Sequence, residues 1–371
     1  MINPTPSLFV SSCSKRCPRG VESFLDRQAD EYVFYGAGKI ALRDGVAGLV
    51  EPGQNVLVPA YLPDAVAEPL YDLQLEVRYY ALEETLAPNI ADLESRLDDE
   101  TAAICSVNYF GTPQPAIERI QSLADDYGCY HIDDNAHGAF SVDDGTLLGT
   151  RGDIGFTSLW KLFPIPNGAV LYLNSENARE RYRPSSLATV RERFDTADGR
   201  FVLASMLREL LADRRSVQHT IETLLSRGDE PAVGGPKARY DDAKRPMSKL
   251  AMSVLENADP LSIRRRRRGN YRAWQRVFAD CDDVTFVLES LPAGICPQVA
   301  PVRTDDPEAF RTTLERAGIG GVNGWPRLSS TVRDDPTYET ARRLSTEVRT
   351  LPVHQQIDPA EIDAIGETLR Q

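Results

Sequence analysis

The chain has 371 residues, 42% of them hydrophobic, which is enough for a large domain and a smaller one. Its net charge of −13 excludes nucleic acid and anionic membrane as generic partners, since both need a cationic surface. Six cysteines are too few for a disulfide scaffold, no apolar run is long enough to cross a membrane, and the Met-Ile-Asn-Pro start carries no leader pattern, so a cytoplasmic protein is expected.

From about residue 30 to 175 the pattern alternates strand and helix. "YVFYG" reads as a strand, after which Ile40, Leu42, Val46, Leu49 and Val50 recur at helical spacing. "NVLVP" is a short buried strand, followed by a helical run over Asp64–Leu73 and a strand at "LEVRYY". "AAICSV" is the next strand. "AIERIQSLADDYG" then predicts a helix with Ile117, Ile120, Leu123, Ala124 and Tyr127 on one face and Gly128 at its end. "CYHID" and "GAVLYLNSE" are further strands. Such alternation predicts an α/β domain with a mostly parallel sheet, whose ligands gather at the carboxyl ends of the strands.

Residues 176–235 are arginine-rich and mostly helical, ending in the punctuated "RGDEPAVGGP". One long helical segment is expected over about Ser248–Phe278, then strands at "VTFVLE" and "AGICPQVAPV". "PEAFRTTLERAG" and "PAEIDAIGETLR" complete the helices. A boundary near 235–247 divides a large domain, residues 1–240, from a smaller C-terminal one, residues 241–371. The run Arg264–Arg268 tempts a pyrophosphate site, but five consecutive helical residues point all round, so most are expected to be solvated or paired with the acidic surface.

Three motifs carry chemistry. "YGAGKIAL" is a glycine turn between strand and helix, where the first N–H groups suit phosphate. It fits G-x-G-x-x-A, yet the acidic residue of a dinucleotide site is absent downstream, so a phosphate cradle without dinucleotide is the better reading. "HIDDNAHGAF" ends a strand; alternation puts His131 and Asp133 on one face and Asp134 on the other, which splits any metal set. Asp133 reads as a structural hydrogen-bonding residue, and Asp134 as a carboxylate facing a heteroaromatic cation. Third, Lys161 lies in "SLWKLFPIPNG". The chain holds six lysines against thirty-six arginines, so a lysine among Leu159, Trp160, Leu162 and Phe163 is unlike its surface. Burial would depress its pKa and make the amine nucleophilic toward an aldehyde. Cys13 and Cys17 form a CxxxC, a weak metal or disulfide signal.

In this order, glycine turn, Asp134 with His137 three residues on, then lysine before a strand, the chain resembles pyridoxal-phosphate enzymes of the type I aminotransferase fold. It is most similar to the DegT/DnrJ/StrS-like sugar aminotransferases. The carrying segments are Ala37–Leu42, Pro59–Leu62, "NYFGTPQP", Ile132–His137, "LGTRGDIGFTSLWK", and, near the end, "SIRRRRRGNYRAW", "LERAGIGGVNGW" and "TLPVHQQIDPAEIDAI". The resemblance implies a seven-stranded, mostly parallel sheet between helices, a smaller α+β domain, and a homodimer with sites near the interface. It implies that Lys161 holds pyridoxal 5′-phosphate covalently and shuttles a proton, that Asp134 pairs with the ring nitrogen, and that His137 contacts the phenolic oxygen. Gly38 and Lys39 N–H groups with Ser158 would hold the phosphate, and Tyr61 and Asn108 would line the same strand ends. "DDAKRPMS" replaces an asparagine-containing segment that reaches the neighbouring subunit, with Arg245 as the candidate substitute. The activity implied is transfer of an amino group, from glutamate, to a nucleotide-linked keto-sugar for polysaccharide or glycan assembly. The rivals are a lyase or dehydratase of the same fold and a non-catalytic member. Few lysines and many aspartates also resemble proteins of salt-loving organisms, where salt screens self-repulsion.

Overall fold

A computed structural model describes residues 2–9, 20–210 and 240–369. Seven strands build the central sheet: β1 (Tyr32–Tyr35), β2 (Asn55–Pro59), β3 (Glu76–Tyr80), β4 (Thr101–Val107), β5 (Tyr130–Asp134), β8 (Ile154–Ser158) and β9 (Ala169–Leu173), with β6 (Val142–Asp143) and β7 (Thr146–Leu147) forming a separate small hairpin. Their spatial order is β1-β9-β8-β5-β4-β2-β3. Pairing is parallel from β3 across to β8, and β9 alone is reversed, running antiparallel to both β8 and β1. Strands β2, β4, β8 and β9 are buried along their whole length, which is why they read as continuous apolar runs and not as alternation.

Every strand expected from the sequence before residue 175 forms. The helix Gly38–Ala47 buries Ile40, Leu42 and Val46 against β8 and β9. The helix Ile117–Tyr127 buries Ile120, Leu123 and Ala124, and Gly128 ends it with φ 66°, a left-handed conformation that glycine adopts without steric cost. Tyr127, expected on the apolar face, is exposed. The Asp64–Leu73 run divides into a 3-10 turn, Asp64–Val66, and a short helix, Glu68–Asp72.

A second sheet contains β10 (Val284–Phe286), β11 (Val299–Thr304), β12 (Asn323–Gly324) and β13 (Val348–Pro352) in the order β10-β11-β13-β12, all antiparallel. Its core gathers Trp274, Tyr271, Ala300, Val302, Leu351 and Ile362. Trp274 is fully buried and donates Nε1–H to Pro352 O at 2.8 Å; truncating such a ring costs about 3–5 kcal/mol.

Two expectations change. The segment from Ser248 to Phe278 is two helices, Lys249–Glu256 and Pro260–Val277, because Asp259 caps the second and Pro260 occupies its first turn. The first of them packs Ala251, Met252 and Leu255 with Phe24, Leu159 and Phe163 beside the large sheet, beyond the expected boundary at 240/241. The arginine run is only partly the solvated face expected: Arg265 and Arg266 are exposed and Arg264 is partly so, but Arg267 and Arg268 are buried. Arg264, Arg266, Arg267 and Arg268 all donate to main-chain carbonyls. Irregular segments around 291–298 and 353–357 present carbonyls that these long side chains satisfy.

Candidate active site

Parallel pairing brings the carboxyl ends of β1, β2, β4, β5 and β8 to one edge of the sheet, and the predicted residues stand on or just beyond these ends. Val107 pairs with Asp134, and Asp134 with Phe156, so Asn108, Asp134 and Ser158 lie on neighbouring strands. Lys161 ends a 3-10 turn, Leu159–Lys161, that continues β8.

At the end of β1, Ala37 precedes the helix Gly38–Ala47 with no side-chain cap, so the first N–H groups are left to another partner. A Cβ on Gly38 would stand 2.7 Å from Ser158 Oγ and 3.2 Å from the Phe156 ring. Only glycine lets this backbone approach the serine so closely. Together they form an anion cradle at a helix N-terminus. The side chain of Lys39 turns to Glu68 instead. Gly36 is needed for another reason: a Cβ there would collide with Arg245 O. Asn167 stitches the same region, donating to Pro246 O at 2.9 Å and accepting from Ser248 N at 2.8 Å. The unusual "PNG" loop and the unusual "KRPMS" segment therefore meet in space, while the Arg245 side chain is exposed.

Asp134 is buried and its Oδ1 accepts from Ala136 N at 2.8 Å. Burial pushes its carboxyl up to about 6; the Ala136 hydrogen bond and the positive charge of Lys161 pull the other way. Lys161 is pushed down to about 8 by burial of its amine, partly offset by Asp134. The two groups thus sense each other, though no direct ion pair joins them. Burial, with the nearby Lys161 charge, also holds His137 well below the usual imidazole value, so the ring is neutral. Its Nδ1 accepts from Phe110 N at 3.1 Å, which places the proton on Nε2 and makes that atom the ring's donor.

The other predicted residues are scaffolding in their contacts. Asn108 donates Nδ2–H to Asp133 Oδ1 at 2.6 Å and accepts at Oδ1 from Gln114 N at 3.2 Å. Asp133 Oδ2 accepts from Gly149 N and Arg151 N, as expected of a structural aspartate. His131 pairs with Ser106 Oγ at 2.8 Å on that same face. Tyr61 is fully buried and donates to Trp325 O at 2.5 Å.

Sequence reasoning missed an aromatic roof. Trp325, from the second sheet's side of the chain, packs on His137 (ring centroids 5.0 Å apart), Tyr61 (5.1 Å), Phe110 (5.4 Å) and Tyr109 (5.9 Å). Phe110 takes φ 57°, unusual for a side chain of its size, and stacks on His137. The Tyr109 hydroxyl is buried with no hydrogen-bond partner among the described residues. The tryptophan in "NGWP", one of three in the chain, was the available signal.

The fold is that of the type I aminotransferases. It is shared with a putative sugar aminotransferase, Spr1654, from Streptococcus pneumoniae, solved in its PLP form (TM-score 0.68, 15% identity, 95% of this chain and 90% of that one), and with the sugar aminotransferase CalS13 from Micromonospora echinospora (TM-score 0.66, 17% identity, 100% and 99%). A model of the DegT/DnrJ/EryC1/StrS aminotransferase family matches residues 37–370, and the chain belongs to that family. Among curated proteins it is 24% identical over 143 residues to GDP-perosamine synthase of Vibrio cholerae, an alignment that covers 38% of this chain and 39% of that enzyme. No helix among the described residues is long and apolar enough to cross a membrane.

Proposed function

We propose that this chain is a pyridoxal-phosphate-dependent aminotransferase that moves an amino group from glutamate to a nucleotide-linked keto-sugar, yielding 2-oxoglutarate and an amino sugar. The observation that carries the reading is geometric: the buried Asp134 ends β5, and Lys161 follows the end of β8, the strand paired in parallel beside it. The residues fit the cofactor: a cradle that a Cβ on Gly38 would fill, a carboxylate with Oδ2 left over, a neutral histidine with a defined donor, and an enclosed amine.

Pyridoxal phosphate supplies an aldehyde and an electron-withdrawing ring. Gly38 and Lys39 N–H groups and the Ser158 hydroxyl would hold its phosphate. Asp134 would keep a proton on the ring nitrogen, and His137 Nε2–H would orient the ring oxygen. Lys161 would hold the aldehyde through its amine with loss of water; displaced by the donor's amine, the freed Lys161 amine would move the proton from the carbon bearing the donor's nitrogen to the cofactor side. An amine near 8 is partly neutral at pH 7.5, so it can act as nucleophile and base without assistance. The roof of Phe110 and Trp325, backed by Tyr61 and Tyr109, limits water at the His137 ring.

The family and the similarity to GDP-perosamine synthase support the sugar acceptor. Lys161 supports transamination over the dehydratase reading. A homodimer fits the large side chains left exposed near the site and on the Thr196–Leu210 helix: Trp160, Phe194, Leu203, Met206 and Leu210. Its setting would be cytoplasmic glycan assembly, in a cell that tolerates high salt. Cys13 and Cys17 lie outside the described residues. The decisive test is borohydride reduction after loading with pyridoxal phosphate, followed by peptide mapping. A pyridoxyl group on Lys161 is expected, and on any other residue it overturns the assignment. Conversion of the cofactor to its amine form by glutamate tests the amino donor.

A further inference from the structure

Among the described residues of the second half of the chain, Arg267 is the most deeply buried charged side chain, at 1% exposure, and its hydrogen-bond partners are all neutral. Nε donates to Gln355 Oε1 at 3.0 Å. Nη1 donates to Pro297 O at 3.2 Å and Gln298 O at 2.9 Å, and Nη2 to Leu162 O at 3.2 Å. Burying an arginine among neutral carbonyls is costly until its hydrogen bonds offset the lost hydration, so its burial is weak evidence of a purely stabilising role.

Two paths lead from this guanidinium to the reacting groups. On one side, Leu162 O is the carbonyl next after Lys161, and it receives a second donor, Gln355 Nε2 at 3.0 Å. On the other, Gln298 N donates to Phe110 O at 2.9 Å, and Phe110 N donates to His137 Nδ1 at 3.1 Å. Only a planar fork with several donors can reach both segments at once.

We propose that Arg267 is a positioning residue that sets the turn carrying Lys161 and the orientation of His137 together, tying both to the helix Pro260–Val277. This rests on the aminotransferase reading only for the use made of the two groups. The linkage itself is measurable in cofactor-free protein, so its failure and the failure of that reading are separable.

The experiment uses the full chain without cofactor and compares Arg267→Gln, Arg267→Lys and Gln355→Leu with the parent. Lys161 reactivity is read by competitive acetylation with acetic anhydride and peptide mass spectrometry at fixed pH. His137 is read from its imidazole ¹⁵N signals, assigned among four histidines with a His137→Gln control. Arg267→Gln, with an unchanged far-ultraviolet spectrum, is expected to alter Lys161 labelling by about tenfold and to mix the His137 tautomers. Arg267→Lys keeps the charge without the fork and is expected to restore neither. Gln355→Leu removes one donor to Leu162 O and the acceptor of Arg267 Nε but leaves Nη1 on Gln298 O, so labelling changes by about threefold and the His137 signals move less than in Arg267→Gln. If Arg267→Gln folds and both readouts match the parent, the proposal is wrong. Should the arginine variants fail to fold, Gln355→Leu decides: unchanged Lys161 labelling overturns the proposal.

Discussion

Two charged regions face opposite fates in this molecule. Glu84, Arg303, Arg343 and Glu347 form a network in which each charge has a partner: Arg303 donates to Glu84 at 2.7 Å and to Glu347 at 2.6 Å, and Arg343 reaches both acids. All four are partly exposed. At the sheet edge, the buried Asp134 and the partly buried Lys161 sense each other and no ion pair joins them. The first arrangement matches opposite charges directly at a partly exposed surface. The second moves both groups toward neutrality, the amine to about 8 and the acid to about 6, which is where proton transfer near physiological pH is easiest. Reactivity here comes from desolvation that no ion pair offsets.

Removing Lys161 should have the largest effect. Lys161→Met is expected to abolish the borohydride-stable pyridoxyl group and lower transamination about a thousandfold or more. The same variant relieves a buried amine. The sign follows from the lowered pKa: between about 8 and 10.5 the unfolded chain binds more protons than the folded one, so parental stability rises with pH there. Urea melts of cofactor-free Lys161→Met should lose that slope.

Next is Asp134→Asn, which removes the charge that supports protonated Lys161. The midpoint of Lys161 acetylation should fall below about 8, and turnover should drop about a hundredfold. A midpoint that rises would mean that Asp134 does not face the amine. Gly38→Ala puts a methyl group 2.7 Å from Ser158 Oγ and should weaken pyridoxal phosphate about tenfold by equilibrium titration, without loss of helix. Smallest is Arg303→Gln in the paired network. Its thermal unfolding should differ by less than about 1 kcal/mol from the parent's, and less still in high salt. A larger loss would break the contrast drawn above.

Much of this was legible before the structure. Fully buried strands such as β2 and β9 announced themselves as apolar runs, and strand ends marked Asp134 and the glycine turn, because sheet position follows from alternation and punctuation; Ser158 came only with the family resemblance. Lys161 stood out by scarcity. What could not be read depends on distance along the chain. Trp325 reaches His137 from 188 positions further along the chain, and beyond the rarity of tryptophan nothing local to "NGWP" marks that contact. Arg267 looked like one of five surface charges, since its acceptors lie at Leu162, Pro297, Gln298 and Gln355. Strand β13, central in its sheet, was hidden in "VRTLP", too short to alternate visibly. Pro260 was present in the sequence, yet the helical periodicity on either side masked the break.

Strand β9 runs against its neighbours, and that reversal bears on how such a catalyst can diversify. The bend it requires is cinched at its neck, where Leu159 N meets Gly168 O at 2.9 Å and Gly168 N meets Gly36 O at 2.7 Å. A stretch fastened at both feet can exchange its middle for another sequence without shifting the framework beneath. New side chains could then be grafted at the partly exposed Pro164 and Pro166, between the buried Phe163 and Ile165, while Lys161 keeps its footing.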